Sequence, residues 1–219
     1  YGSALEGSEK SHGAPLGADN VVKLKEKLEW NYEEEFYVPE EVFSFVEESK
    51  KKSIQANKDW DSLYENYKKA YPELGEELEK ALSKEVPEEY LDSDEFYEFE
   101  KEDATRSHSG VVLNRLSENM TNIIGGSADL APSNKSLMNN TTMYSKENPK
   151  GKNIQYGVRE LGMTAITNGI ALHGGFMPYC STFFVFADYM KPPMRLAALM
   201  KLQVLYILTH DSIGVGEEC

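Results

Sequence analysis

The side chains able to do chemistry are few, and each sits in a pattern that admits two readings. Glu160 follows a β-patterned run and opens an apolar helical one. A carboxylate at a helix start is favoured by the helix dipole, which makes an ordinary structural glutamate one reading. Held in an apolar site, the same carboxyl can share a proton with a ligand nitrogen, which is the other. Phe183, Phe184, Phe186 and Tyr189 follow a Ser-Thr turn as an aromatic cluster. Such spacing suits a core, and it equally suits a slot for a flat heterocycle. His210 ends an apolar run in LTHDSIGVG, where the polar, Gly-rich stretch behind it fits a ligand loop as well as a hydrogen-bonded structural histidine. His12 lies in the Gly/Pro loop KSHGAPLG, off any apolar face, whereas His108 and His173 read as structural. The four histidines are scattered and no CxxC or HxxxH spacing occurs, so no metal cluster is expected. GGSADL and GVGEEC lack phosphate-loop spacing, and no nucleophile-elbow context supports a Ser-His-Asp triad.

These residues need a scaffold, and the second half of the chain supplies one. A helix is predicted over roughly 106–121, then a short strand in NIIGG ending in glycines and a turn, then a polar loop over 134–153. IQYGV reads as a strand and RELGMTAITNGIALHGG as a helix ended by Gly174 and Gly175. FMPYCSTFF reads as strand and turn. Residues 184–201 read as a helix that Pro192 and Pro193 must break or kink, and LQVLYILTH as a strand. Strands alternating with helices imply an α/β fold with a parallel sheet covered on both faces. Ligands bind at the carboxyl ends of such strands, and Asp129, Glu160 and His210 all fall at or just beyond predicted strand ends.

The first half is different. After a loop over 1–20, Asp19 or Asn20 caps a predicted helix over 20–28. A second helix spans 39–70, with Pro39, Glu40 and Glu41 suited to its first turn and an apolar stripe of Val42, Phe43 and Val46 continued by Trp60, Leu63, Tyr64 and Tyr67. A third covers 73–84, followed by the acidic, irregular PEEYLDSDEFYEFEKEDA. Residues 29–103 carry 25 acidic and 9 basic side chains, net −16, while the whole chain is −14. All the acidity is thus in one segment, which reads as a solvated connecting arm. The negative charge argues against a nucleic-acid or anionic-membrane partner. No apolar run is long enough to span a bilayer, and two cysteines point to a reducing, cytoplasmic setting. The chain opens inside a Gly/Ser-rich stretch without an initiator Met and stops in a loop, which reads as an internal piece of a longer protein.

Five segments, SHGAPLG, GGSADLAPSN, IQYGVRELGMTAITNGIALHGGF, STFFVFADY and THDSIGVGE, occur here in the order and approximate spacing found in transketolases. The chain resembles that family throughout. The resemblance implies the end of a pyrophosphate-binding domain over 1–20, a helical acidic interdomain linker over 21–105, and an incomplete pyrimidine-binding domain of the thiamine-diphosphate fold over 106–219. It implies thiamine-diphosphate-dependent transfer of a two-carbon ketol unit from a ketose phosphate to an aldose phosphate, a reaction of the pentose phosphate pathway. Glu160 matches the glutamate that hydrogen-bonds a ring nitrogen of the cofactor aminopyrimidine. Phe186, with Phe183 and Tyr189, matches the aromatic pocket around that ring, and Asp129 a residue near the cofactor. His12 matches a histidine touching both cofactor diphosphate and substrate. Arg106 and Ser133 match positions that hold the sugar phosphate, roles suited to a guanidinium fork and a hydroxyl. His210 matches a histidine on the substrate hydroxyls. Glu218 stands where the family usually has an Asp on a substrate hydroxyl, Leu161 where His or Phe is common, and Ser107 where Lys is frequent.

The family holds the cofactor diphosphate and its Mg2+ or Ca2+ with a Gly-Asp-Gly…Asn motif of the first domain, and that motif is absent here, so no residue of this chain is assigned to the metal. The resemblance further implies a homodimer whose active site lies between subunits, and inactivity of this piece alone. Two other readings stay open: a dihydroxyacetone synthase-like ketol transferase that uses formaldehyde, and a non-catalytic cofactor-binding or dimerisation module.

Overall fold

The computed structural model describes residues 1–85 and 93–211, in two compact units, Tyr1–Glu65 and Asn66–Cys219. In the first unit, helix α1 (Ala18–Lys27) starts two residues earlier than the capping pattern predicts. Gly17, at φ +80°, takes the N-cap position; Asp19 falls inside the first turn, and Asn20 donates its side-chain amide to Leu16 O at 2.9 Å. Helix α2 (Glu40–Ala70) begins in the first unit, ends in the second and runs unbroken for 31 residues. The Pro39 carbonyl accepts from Val42 N at 3.0 Å, so the proline precedes the helix instead of joining its first turn. Its stripe of Val42, Phe43 and Val46 is exposed, as are Trp60 and Leu63. Surface pairs one turn apart, Lys52–Glu48 at 2.9 Å and Lys50–Glu47 at 3.3 Å, support the helix where packing does not.

The second unit holds α3 (Pro72–Ser83), α4 (Asp94–Tyr97), α5 (Thr105–Asn119), β1 (Ile123–Ser127), α6 (Ala131–Asn134), β2 (Asn153–Gln155), α7 (Glu160–His173), β3 (Met177–Phe183), α8 (Ala187–Leu199) and β4 (Leu205–Thr209). The acidic stretch expected to be irregular therefore contains a helical turn, α4, and the turn after β1 closes into the one-turn helix α6. The strand predicted over IQYGV is shorter, because β2 pairs with β1 only through Gln155. Helix α8 contains Pro192 and Pro193 without breaking. The carbonyls that lose helical donors belong to Asp188 and Tyr189, both exposed residues.

The four strands are parallel in the order β2-β1-β3-β4. Buried side chains separate the two faces. Leu113 of α5 packs with Ile123, Met138, Tyr179 and Ile207 on one face. Met163 of α7 and Met190 of α8 pack with Ala128, Tyr156 and Cys180 on the other. Because the chain runs from β1 outward to β2 and back across to β3, the order reverses between β1 and β3, which opens a crevice at their carboxyl ends. Two glycines permit this arrangement: a Cβ at Gly126 would lie 1.8 Å from Ile154 O, and one at Gly125 would lie 2.1 Å from Tyr179 O. Gly126→Ala should consequently lower the melting temperature by about 5 °C or more, in line with overpacking costs of 1–3 kcal/mol. An unchanged melting curve would contradict the β1–β2 register.

Cys180 is fully buried, and desolvation pushes its thiol up to about 11 despite side-chain hydrogen bonding with Thr167 and Thr164. Burial likewise pushes Tyr206 up to about 12. Both groups fold in their neutral forms. The stabilisation they give is full below their ordinary pKa values, 9.0 for the thiol, and is lost as pH rises toward the folded values. We expect the melting temperature to fall between about pH 9 and 11. In a Cys219→Ser background, we expect the Cys180 thiol to resist a thiol reagent at pH 8 until denaturant is added. Immediate labelling in the folded protein would contradict this placement.

Candidate active site

Every strand delivers its last residue to one edge of the sheet, and the predicted site residues of the second unit collect there. At the end of β1, Ser127 Oγ accepts from Leu130 N at 3.1 Å and bends the chain. Asp129 takes φ +65° in that bend, exposed, with Gln155 Nε2 at 3.5 Å from its Oδ1. Helix α6 then carries Ser133, exposed, and turns Asn134 back over the sheet, fully buried.

After β2, Gly157 at φ +68° turns the chain, Arg159 N bonds Gly157 O at 2.8 Å, and Arg159 Nη1 is held by Tyr156 O at 2.8 Å. This places Glu160 at the first position of α7 and 8% exposed. Its backbone carbonyl accepts from Thr164 Oγ1 at 2.8 Å, whereas its carboxylate has no hydrogen-bond partner among the described residues. The stem is buried while the unpartnered carboxylate oxygens still reach solvent, so the group is free to accept a donor from a ligand.

β3 ends in Phe183, whose ring starts an aromatic row. Phe183 and Phe186 are stacked at 6.0 Å and 10°, and Phe186 and Tyr189 follow at 6.4 Å and 29°. Phe184 does not join the row: the 3₁₀ turn Phe184–Phe186 directs it outward, 55% exposed. On the other side of Phe183 lies the His210 imidazole, 3.9 Å away between ring centres. His210 follows β4 directly, with φ +58°, an unusual conformation for a residue bearing a Cβ. Its Nε2 is 2.6 Å from Arg106 Nη1, which reaches across from the first turn of α5. Arg106 also lines a cleft of about 400 Å³ between α5 and β4, floored by Leu113 and Ile207.

Arg106, His210, Phe183, Phe186 and Tyr189 thus form one continuous series of contacts, while Asp129, Ser133 and Glu160 occupy neighbouring connections at the same sheet edge. His12 belongs to the first unit, where it follows the 3₁₀ turn Glu9–Ser11, exposed, with its N–H on Glu9 O at 3.0 Å. Glu218 lies outside the described residues. His108 stacks on Phe99 at 4.1 Å and His173 bonds Gly174 O at 3.1 Å, both packing roles. No group of three or more His, Cys, Asp or Glu able to hold a metal occurs among the described residues.

Sequence reasoning missed Asn134 and Thr209. Asn134 donates to Ser127 Oγ at 3.1 Å and Ser181 Oγ at 2.8 Å, and accepts from Thr209 Oγ1 at 2.8 Å. The only signal for it is a polar residue in APSN, and its partners on three strands lie up to 75 positions away.

The arrangement offers an unpartnered carboxyl on a largely buried residue, an aromatic row and a cation–imidazole pair on one edge, a set suited to a flat nitrogen heterocycle beside a phosphorylated polyol. Two family models match the chain: transketolase, pyrimidine binding domain, over residues 101–219, and transketolase, thiamine diphosphate binding domain, over residues 1–87. The chain belongs to the transketolase family. A transketolase of Halalkalibacterium halodurans is 48% identical over 219 residues, covering all of this chain and 33% of its own length. Among solved structures, a Pichia stipitis transketolase in complex with xylulose 5-phosphate superimposes with a TM-score of 0.84 at 37% identity, over 99% of this chain and 33% of the other. The Leishmania mexicana transketolase gives 0.84 at 33% identity, again over 99% of this chain. The chain spans about a third of the length of these transketolases.

Proposed function

We propose that this chain forms the aminopyrimidine-binding part of a transketolase that transfers a two-carbon ketol unit from a ketose phosphate to an aldose phosphate. The observation that carries the reading is Glu160: a residue 8% exposed, at the positive end of α7, whose carboxylate has no hydrogen-bond partner among the described residues and stays open at its oxygens to a ligand. Bound thiamine diphosphate supplies a nucleophilic carbon and an electron sink for carbon–carbon cleavage. The residues fit that group. Glu160 would hold a proton against a ring nitrogen of the aminopyrimidine. Phe186, with Phe183 and Tyr189, would pack the flat ring and exclude water, and Asp129 would lie beside the cofactor. Arg106 and Ser133 would hold the phosphate end of the sugar, with His210 and Glu218 on its hydroxyls and His12 facing both diphosphate and substrate. We read residues 1–20 as the close of the pyrophosphate domain, 21–105 as the arm and 106–219 as the pyrimidine domain. The diphosphate and its Mg2+ or Ca2+ belong to a domain outside this chain, and a homodimer would join the two halves.

No helix among the described residues is long and apolar enough to cross a membrane. A cytoplasmic place in the pentose phosphate pathway completes the proposal.

Because half the site lies elsewhere, the 219-residue chain alone should bind thiamine diphosphate weakly or not at all. The diphosphate needs a metal and the other domain, and an acidic arm substitutes for neither. Isothermal titration with cofactor and Mg2+ tests this. A sub-micromolar dissociation constant would contradict the split site and favour a self-contained cofactor-binding module.

A further inference from the structure

We propose that Asn134 and Thr209 are positioning residues that lock His210 in its Nδ1–H tautomer, so that Nε2 presents a lone pair to the substrate and accepts from a sugar hydroxyl. The inference rests on the reading of this edge as the sugar-phosphate site. Its basis is a chain of four links whose proton directions are forced. An arginine side chain only donates, and Arg106 Nη1 is 2.6 Å from His210 Nε2, so Nε2 must be the acceptor. The ring proton is therefore on Nδ1, which lies 2.9 Å from Thr209 Oγ1 and donates to it. The Thr209 hydroxyl then has one proton left to give, and it goes to Asn134 Oδ1 at 2.8 Å. That fixes the amide orientation, with Nδ2 donating to Ser127 Oγ and Ser181 Oγ. The opposite orientation fails. Asn134 would donate to Thr209, Thr209 to His210 Nδ1, and Nε2–H would face a guanidinium N–H at contact distance. One arrangement satisfies every donor.

The anchoring is deep. Asn134 is fully buried and Thr209 is 6% exposed, and the amide ties the carboxyl ends of β1, β3 and β4 together. Phe183 lies against the imidazole, tilted by 39°, and restricts its rotation. The backbone of His210, at φ +58°, is held in a sparsely populated region by the same contacts. The consequence is a change of partners on binding. When a phosphate recruits Arg106, Nε2 keeps its lone pair, because the proton on Nδ1 is held from behind by Thr209. A sugar hydroxyl can then donate to it.

The test uses a full-length protein carrying this chain, labelled with [15N]histidine, and compares 15N spectra of wild type, Thr209→Val and Thr209→Ser, with His210→Asn to assign the signal. The wild-type His210 should show a protonated Nδ1 and an unprotonated Nε2. Thr209→Val, the same shape without an acceptor, should shift the population toward Nε2–H, and Thr209→Ser should restore the wild-type pattern. Thr209→Val should also raise KM for the ketose phosphate roughly 2–12-fold, the loss of one neutral hydrogen bond, with a smaller change in kcat. A wild-type His210 protonated at Nε2 would overturn the proposal without any variant, so a failure of Thr209→Val to fold does not shelter it. An unchanged tautomer or KM in folded Thr209→Val would overturn it as well. The spectrum does not depend on the ligand. If the tautomer behaves as expected but inorganic phosphate leaves the His210 signals unmoved at saturating concentration, it is the sugar-phosphate reading that fails.

Discussion

Glu160→Gln in a full-length protein carrying this chain should cut ketol-transfer turnover by orders of magnitude at saturating cofactor. Gln is nearly isosteric with Glu, so the position at the start of α7, 8% exposed and beneath no competing hydrogen bond, should tolerate it without loss of fold. What the amide cannot do is share the proton that the reaction must move through a ring nitrogen. Proton transfer by a positioned side chain contributes typically 10²–10⁴-fold, and that sets the scale of the loss. If the glutamate merely complemented the helix dipole, the change would cost about 0.3–1 kcal/mol of stability and leave turnover nearly intact. The two outcomes differ by about two orders of magnitude or more in rate, and circular dichroism separates them from a folding defect.

The second large effect concerns Arg106. Its guanidinium reaches out from the first turn of α5 to the edge where β4 ends, 2.6 Å from His210, and there it meets an acceptor that a phosphate outcompetes. Charge-assisted hydrogen bonds of this kind contribute roughly 1.5–3 kcal/mol. Arg106→Ala should raise KM for phosphorylated ketoses about 10–150-fold while sparing an unphosphorylated donor such as hydroxypyruvate. Equal losses with both donors would show that Arg106 serves only to hold His210 and α5 in place.

Much of this was legible in the residues. The change from a 3.6-residue to a strand pattern after Arg106, and the apolar runs around Ile123, Tyr179 and Ile207, are local signals, and they placed the sheet and its carboxyl edge. Glu160 at a helix start and His210 at a strand end were visible because both flank long apolar runs. The ordered motifs carried the family. What the residues concealed is long-range. Nothing near Asn134 announces that it will bridge Ser127, Ser181 and Thr209, because the sheet order that brings those strands together is set by packing. Pro192 and Pro193 read as helix breakers because the rule counts lost donors and takes no notice of where the freed carbonyls sit; here they belong to exposed residues, Asp188 and Tyr189. Phe184 was grouped with its neighbours because sequence spacing does not report the 3₁₀ turn that sends it outward.

Following two labelled carbons tests the central claim most directly. A ketose phosphate carrying 13C at its first two carbons is mixed with an unlabelled aldose phosphate and the full-length protein, with and without thiamine diphosphate and Mg2+. Both labels should move together into a ketose two carbons longer than the aldose, leaving an aldose two carbons shorter than the donor, and only when cofactor and metal are present. A folded, cofactor-saturated protein that leaves the label in the donor, or moves it without thiamine diphosphate, would contradict the assignment.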